Sequence, residues 1–310
     1  MRNIRSFGPD QGADPFRVSE AMLPLDNYAG RGGYDPGFIG HGTPLPLPGA
    51  GIWADDLVEL LPEAQVPGHD PTELKYTHFS LRMSRSRALP LFSACNIDGA
   101  QLLRGIRRTD IWRRDPRIDA ALQNLREGYG QENRGLFSRG HMTRREDPNW
   151  GDQATAEQAD ADTFHITNVA PQRQGFNGGI WLDLENYVLN NTDRENMRVT
   201  VVTGPVLGRD DPVYYNRQIP AAFWKIIAFT HAVTGELTVI GYLRTQLEYL
   251  PRPSAARFVF GDFQDMQVPV SALAQETGLD LSAYADFDVM AGATGIEVRL
   301  TTLGDLYLQR

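Results

Sequence analysis

The hydrophobic pattern divides the chain into a patternless start and a patterned remainder. Residues 1 to about 70 carry Gly, Pro and Asp in place of an apolar period, as in Gly30-Arg31-Gly32-Gly33-Tyr34-Asp35-Pro36-Gly37 and Thr43-Pro44-Leu45-Pro46-Leu47-Pro48-Gly49. Such a stretch makes little regular structure. It reads as an extended arm wrapped on the domain or on a partner subunit, with a loosely ordered leader as the alternative. Residues 88–97 form an apolar run with a polar tail that stops at Asp98-Gly99, a turn signal, so they read as a buried strand feeding a hairpin. Across 115–126, Ile118, Ala121, Leu122 and Leu125 fall at helical spacing and predict a short helix. The polar, alanine-containing stretch 147–162 predicts another, and 163–169 a strand.

Farther on the periods are stronger. Ile180, Trp181, Leu184, Tyr187 and Val188 make one apolar stripe, which predicts a helix over 180–190. Residues 198–202 read as a strand, and 222–243 as a hairpin folded at Thr234-Gly235-Glu236. Residues 251–261 read as a loop. Residues 271–278 read as a helix capped by Ser271 and stopped by Gly278. No internal repeat is visible. Strands and helices mix without strict alternation, which predicts a single α+β (mixed α/β) domain and not a regular doubly wound sheet.

Composition narrows the class. A chain of 310 residues, 41% hydrophobic and 22% charged, can bury a full core as one large domain or two. No run of 18 apolar residues exists, so no transmembrane helix is expected. The first ten residues lack the apolar core of a signal peptide. Cys95 is the only cysteine, so no intramolecular disulfide can form. A cytoplasmic location is the simplest expectation, although non-classical export would leave no such trace.

Charge changes the picture. The net charge of −9 by itself argues against a nucleic-acid partner. Its distribution does not. Residues 72–175 hold 16 Lys and Arg against 13 Asp and Glu, a net of +3, and the remainder carries a net of −12. Only Lys75 and Lys225 are lysines. Arginine suits bidentate phosphate contact, but a general coding bias toward arginine explains most of the excess. The local asymmetry is the informative part.

The basic segment contains Ser138-Arg139-Gly140-His141-Met142-Thr143-Arg144-Arg145-Glu146-Asp147, with Arg134 just before it. Two further polar constellations follow. Asn168 lies in Thr167-Asn168-Val169-Ala170-Pro171-Gln172, and Asn177 opens Asn177-Gly178-Gly179-Ile180-Trp181-Leu182-Asp183-Leu184-Glu185. Phosphodiester hydrolysis needs a deprotonated water, neutralised phosphoryl oxygens and a stabilised leaving 3′ oxygen. A histidine serves the first, and a hard divalent cation the other two. Mg2+ keeps most of its waters, so one amide oxygen plus solvent can hold it. Arginine beside the phosphate adds electrostatic stabilisation.

These residues resemble the DNA/RNA non-specific endonuclease family, the ββα-metal or His-Me finger nucleases of endonuclease G type. The likeness rests on Arg139-Gly140-His141-Met142, on Thr167 to Gln172, and on Asn177 followed by Glu185. Flanking similarity covers 76–99, Gly204-Pro205-Val206, Pro220-Ala221-Ala222-Phe223-Trp224-Lys225 and 268–279, so the match spans roughly 72–282. The ordered set is specific, where Arg-Gly-His alone would be weak. The resemblance implies a ββα-metal fold with a central, mostly antiparallel sheet flanked by helices. With the Gly/Pro-rich arm read over 1–70, it implies an endonuclease domain with a C-terminal tail over 71–310. It assigns His141 as general base, Asn177 as direct ligand of Mg2+ (or Mn2+), and Arg139 as phosphate contact. Glu185 would hold metal-bound water, and Asn168 would buttress the site. An ideal helix puts Glu185 about 12 Å along its axis from Asn177, which favours contact through water over joint direct ligation. The implied reaction is cleavage of DNA and RNA, single- or double-stranded, to 5′-phosphate ends, by a homodimer. One position departs: Ser138 stands where the family carries Asp.

Other residues have plainer readings. His41, His78 and His231 read as hydrogen-bonded structural residues, and His165 as either lining the site or packing beneath it. Trp181 and Tyr187 read as core. Arg144 and Arg145 fit a solvated pair or a phosphate contact equally. The six carboxylates over 146–162 read as an acidic surface. Two alternatives to a free nuclease remain: a nucleic-acid-binding pseudo-nuclease, and a nuclease of defence or cell death held inactive until triggered by the arm, a regulatory partner or an inhibitor. No membrane partner is expected.

Overall fold

The computed structural model describes residues 18–19, 22–40, 42–108, 111–124, 128–129, 136–177, 180–232, 234–250, 266–292 and 298–299. The strands in order are β1 (Val18–Ser19), β2 (Leu74–Lys75), β3 (Phe79–Ser84), β4 (Leu89–Asp98), β5 (Trp112–Arg113), β6 (Ser138–His141), β7 (Val169–Gln172), β8 (Arg198–Val206), β9 (Val213–Tyr214), β10 (Arg217–Gln218), β11 (Ala222–Thr230), β12 (Leu237–Thr245), β13 (Met266–Val268) and β14 (Val298–Arg299). The helices are α1 (Gln153–Thr163), α2 (Gln174–Asn177), α3 (Ile180–Arg194), α4 (Val270–Thr277) and α5 (Ser282–Ala285). Eight strands form one sheet in the order β14-β13-β12-β11-β8-β4-β3-β2. Every neighbouring pair in it is antiparallel. The fold is mixed α+β.

The strongest patterns make the centre of the sheet. β4 is buried along its whole length between β3 and β8, as a continuous apolar run demands of a strand covered on both faces. β11 and β12 pair from Ala222 with Thr245 to Thr230 with Leu237, and Gly235 takes φ 71° in the turn between them. α3 turns Leu184 and Leu189 into the main core beside Phe176, Ala170 and Met142. A smaller cluster gathers Trp112, Tyr129, Phe137, Phe164, Val169 and Ile219 around β6 and β7.

Among the described residues between 22 and 70 the chain makes short 3-10 turns at Leu25–Tyr28, Gly51–Asp56 and Pro62–Ala64 and isolated bridges at Gly49 and Leu57. It nevertheless buries Tyr28, Tyr34, Leu45 and Val58 in the main core. The Tyr34 amide donates to Ser80 Oγ at 2.9 Å, and Trp53 Nε1 donates to the Thr277 carbonyl at 2.7 Å. This segment therefore reaches from β3 to α4.

Four local expectations need correction. Asp98-Gly99 does not turn a hairpin. The Asp98 carboxylate accepts from the Ala100 amide and from Gln101 Nε2, which winds a 3-10 turn. Gly99 passes so close to α3 that a Cβ there would meet the Thr192 carbonyl oxygen at 1.8 Å. Residues 115–124 form no α-helix, because side chains capture the backbone: Gln123 Oε1 accepts from the Asp115 amide and Asp119 from the Ala121 amide, leaving the 3-10 turn Ala120–Leu122. The strand placed at 163–169 begins only at Val169, where pairing with β6 starts; Thr163 ends α1 and Ile166–Asn168 is a 3-10 turn. Ser271 does not cap α4. Pro269 occupies the cap, and Asp288 Oδ2 accepts from the Val270 amide at 2.8 Å, while Gly278 closes the helix at φ 70° as expected. The loop expected at 251–261, His41 and Leu125 lie outside the described residues.

Candidate active site

β6 and β7 pair antiparallel, with Arg139 opposite Pro171 and His141 opposite Val169. Residues two apart on a strand share a face, and Arg139 and His141 meet the same wall. The His141 ring lies 5.1 Å from Trp112 and 5.4 Å from Phe164, centroid to centroid. The Arg139 guanidinium lies 5.5 Å from the Trp112 ring and 5.0 Å from Tyr129. Gly140 between them is required by close approach, since a Cβ would meet Gln172 Cγ at 2.5 Å. Ser138 donates its hydroxyl to the Gln172 carbonyl at 3.0 Å, so it secures the open end of the β6–β7 pair.

His141 Nε2 is a buried atom with no hydrogen-bond partner among the described residues. An orphaned ring nitrogen in a native site calls for an explanation. Burial, followed by the Arg108 and Arg145 charges, lowers its pKa to about 3. The imidazole is therefore neutral in the free protein, with a lone pair available. The linkage has a definite sign. A histidine held neutral on folding takes up a proton on unfolding below its ordinary 6.5, so its contribution is full above pH 6.5 and is lost as pH falls toward 3. We expect His141→Gln to flatten the acid side of the stability curve by up to about 1.4 kcal/mol per pH unit. Urea unfolding at pH 7, 6 and 5 checks this, and parallel curves for the two proteins would remove it.

Asn168 fixes the strand that carries His141. Its Oδ1 accepts from the Thr143 amide at 2.9 Å; its Nδ2 donates to the Thr143 carbonyl at 3.0 Å and the Thr163 carbonyl at 3.1 Å. The Met142 amide donates to the Asn168 carbonyl at 2.8 Å. One fully buried amide thus ties the end of β6 to the end of α1. Asn168→Asp keeps the shape but removes two donors, so it should cost at least about 2 kcal/mol. Chemical denaturation measures it, and a cost below about 0.5 kcal/mol would mean the clamp is idle.

Glu185 approaches from α3. Arg144 Nη2 donates to Asn186 Oδ1 at 2.9 Å, which joins the segment after His141 to the residue beside Glu185. The Glu185 carboxylate meets Lys225 Nζ at 3.4 Å; Lys225, on β11, is buried and also donates to Thr203 Oγ1 at 2.8 Å. Asp147 faces the same cluster. Burial pushes its pKa up to about 6, with Glu185 and Glu146 adding to the rise and Arg144 and Lys225 opposing it. Asn177 ends α2, eight residues before Glu185, and its side chain lies outside the described part. Among the described residues no three His, Cys, Asp or Glu side chains converge on one point. A hydrated hard cation held by one amide and by waters does not require such a cluster.

The structure separates the remaining candidates. His165 packs beneath the site with both ring nitrogens engaged, Nε2 with Tyr28 Oη at 2.7 Å and Nδ1 with the Asp162 carbonyl at 2.8 Å. His78 stacks on Trp150 and bonds the Pro148 carbonyl. Arg145 is spent on Asp160 at 2.7 Å and on the Ile106 carbonyl. Asp160 and Asp162 of the supposed acidic surface are buried, as partners of Arg145 and Arg31. Sequence reasoning missed Trp112, Arg108 and Lys225. The first two lie in a stretch without periodicity. Lys225 was visible as the one charge within an apolar strand.

Comparison with known proteins places the fold first. The chain matches EndoG in a crystal structure of the EndoG/EndoGI complex, with a TM-score of 0.51 and 21% identity, over 69% of this chain and 86% of that one. The β6–β7 pair followed by α3 makes this a ββα-metal nuclease fold. The chain belongs to the DNA/RNA non-specific endonuclease family, whose sequence model matches residues 62–287. Among relatives, protein y4fB of Sinorhizobium fredii, itself uncharacterized, is 38% identical over 89% of this chain and 42% of its own length. The mitochondrial nuclease EXOG of Danio rerio is 27% identical over 66% of this chain and 59% of its own length. Human mitochondrial endonuclease G is 26% identical over 46% and 47%. The chain spans about half the length of these curated relatives.

Proposed function

We propose that the protein is a Mg2+-dependent, sugar-non-specific endonuclease that hydrolyses phosphodiester bonds of DNA and RNA to 5′-phosphate ends. The observation that carries this reading is the neutral His141 ring, held in the ββα unit with a buried, unsatisfied Nε2. A ring nitrogen that no described residue engages is left for the proton of an attacking water. Arg139, on the same face, contacts the scissile phosphate. Asn168 keeps His141 in register. A divalent cation would be held by the Asn177 amide and, through water, by Glu185; when bound it neutralises the phosphoryl oxygens and the leaving 3′ oxygen. Mn2+ can replace Mg2+ in such an oxygen site.

The ion pair with Lys225 supports the indirect role for Glu185, since one carboxylate oxygen already faces a cation. The regulated-nuclease reading draws on the inhibitor complex of the structurally similar EndoG and makes an inhibitor a proposed partner here. The burial of Tyr28, Tyr34, Leu45 and Val58 argues against residues 22–70 being a detachable brake. A homodimer in the cytoplasm remains the expected setting. The test is product analysis on matched DNA and RNA substrates. Both should be cut, and the DNA ends should be ligatable without kinase treatment. Ends that need 5′ phosphorylation, or cutting of only one nucleic acid, would refute the reading.

A further inference from the structure

Lys225 is a buried charge near the site. It lies in the middle of β11, between Trp224 and Ile226, with 2% of its side chain exposed. An ammonium group in that position gives up strong hydration. Packing does not ask for it, because an apolar side chain of similar volume would fill the same space. Its Nζ reaches across elements to the Glu185 carboxylate on α3 at 3.4 Å and to the Thr203 hydroxyl on β8 at 2.8 Å, with Asp147 in the same charge cluster. Glu185 itself is mostly buried, with 17% of its side chain exposed.

We propose that Lys225 is a positioning residue: by ion pairing from the central sheet it holds the Glu185 carboxylate in place for the metal-binding side of the ββα unit. The inference rests on the role given above to Glu185. Thr203 completes the device. It directs the ammonium group along the sheet toward α3, so the rigid β8–β11 pair, with Lys225 opposite Thr203, sets the carboxylate's place. Outer residues that orient metal-site groups commonly change metal affinity or activity about 10–100-fold when removed. Arginine is a poor substitute, because its planar fork demands more width than a lysine ammonium group occupies.

The test is a double-mutant cycle on the full chain with Lys225→Met, Glu185→Gln and the double variant. Mg2+ binding is measured by calorimetry, and plasmid nicking at saturating Mg2+. Thermal unfolding confirms that each variant is folded. Lys225→Met should weaken Mg2+ binding or lower kcat by about 10–100-fold, and the double variant should be no worse than Glu185→Gln alone. Full multiplication of the two effects would overturn the proposal. So would a Lys225→Met protein with unchanged Mg2+ affinity and kcat, whatever its melting temperature. Calorimetry separates this failure from failure of the nuclease reading: a chain that binds Mg2+ in a Lys225-dependent manner without cutting keeps the positioning role and loses the reaction. A chain that neither binds Mg2+ nor cuts loses both.

Discussion

Arg31→Ala should lower the stability of the folded chain by about 3–5 kcal/mol. Arg31 sends Nε and Nη2 to the Asp162 carboxylate at 2.8–3.0 Å, and the pair is almost wholly buried. Asp162 also accepts from the amide and hydroxyl of Thr77. Removing the guanidinium leaves a buried carboxylate with neutral donors only, and it vacates the space over the Tyr28 ring. Tyr28 in turn bonds His165. The loss therefore spreads from the N-terminal segment to the end of α1, next to the Asn168 clamp. Differential scanning calorimetry should show a fall of roughly 5–10 °C. A change under 2 °C would mean that residues 22–40 are an accessory layer and not part of the folding unit.

His141→Ala should lower the nicking rate by about 10²–10⁴-fold while leaving affinity for nucleic acid nearly unchanged. On the proposed mechanism substrate would be gripped by arginines, and the imidazole would only move a proton. The substitution also removes an unsatisfied polar atom from a pocket lined by Trp112 and Phe164, so the variant should not unfold. Its stability at neutral pH should fall by no more than the lost packing of one ring. Nicking of supercoiled plasmid and a filter-binding assay at fixed salt measure the two effects. A proportionate loss of rate and binding would assign His141 to substrate grip instead of proton transfer.

Strongly periodic elements were readable in the sequence. The β11–β12 hairpin carried its turn in Thr234-Gly235-Glu236, and α3 carried a continuous apolar stripe. The stretch at 115–124 misled because periodicity ignores side-chain capture. Asp115 is buried, bound to Arg117 and Tyr76, and a helix there would break both contacts. His165 was ambiguous for a related reason: position in the chain cannot say whether a ring nitrogen already has a partner. The arrangement around His141 was half legible. Motif, spacing and the family resemblance pointed to Arg139, His141, Asn168, Asn177 and Glu185, of which the Asn177 side chain lies outside the described part. Trp112 was not legible, because it reaches the site from a segment of two strand residues paired with β1. The cost of burying Lys225 became apparent only once β11 was placed between β8 and β12.

Ser138 has a local role without acidity. Its hydroxyl bonds the Gln172 carbonyl, so the β6–β7 pair closes at this end without a carboxylate. The lowered pKa of His141 has other sources, burial first and then the Arg108 and Arg145 charges.

On the proposed mechanism this site cuts phosphodiester bonds with the help of a divalent cation. The most direct measurement is conversion of supercoiled plasmid by the purified chain in Mg2+, with a parallel reaction in excess EDTA. Relaxed and linear forms are expected in Mg2+ and intact supercoil in EDTA. Equal cleavage in both would contradict that mechanism.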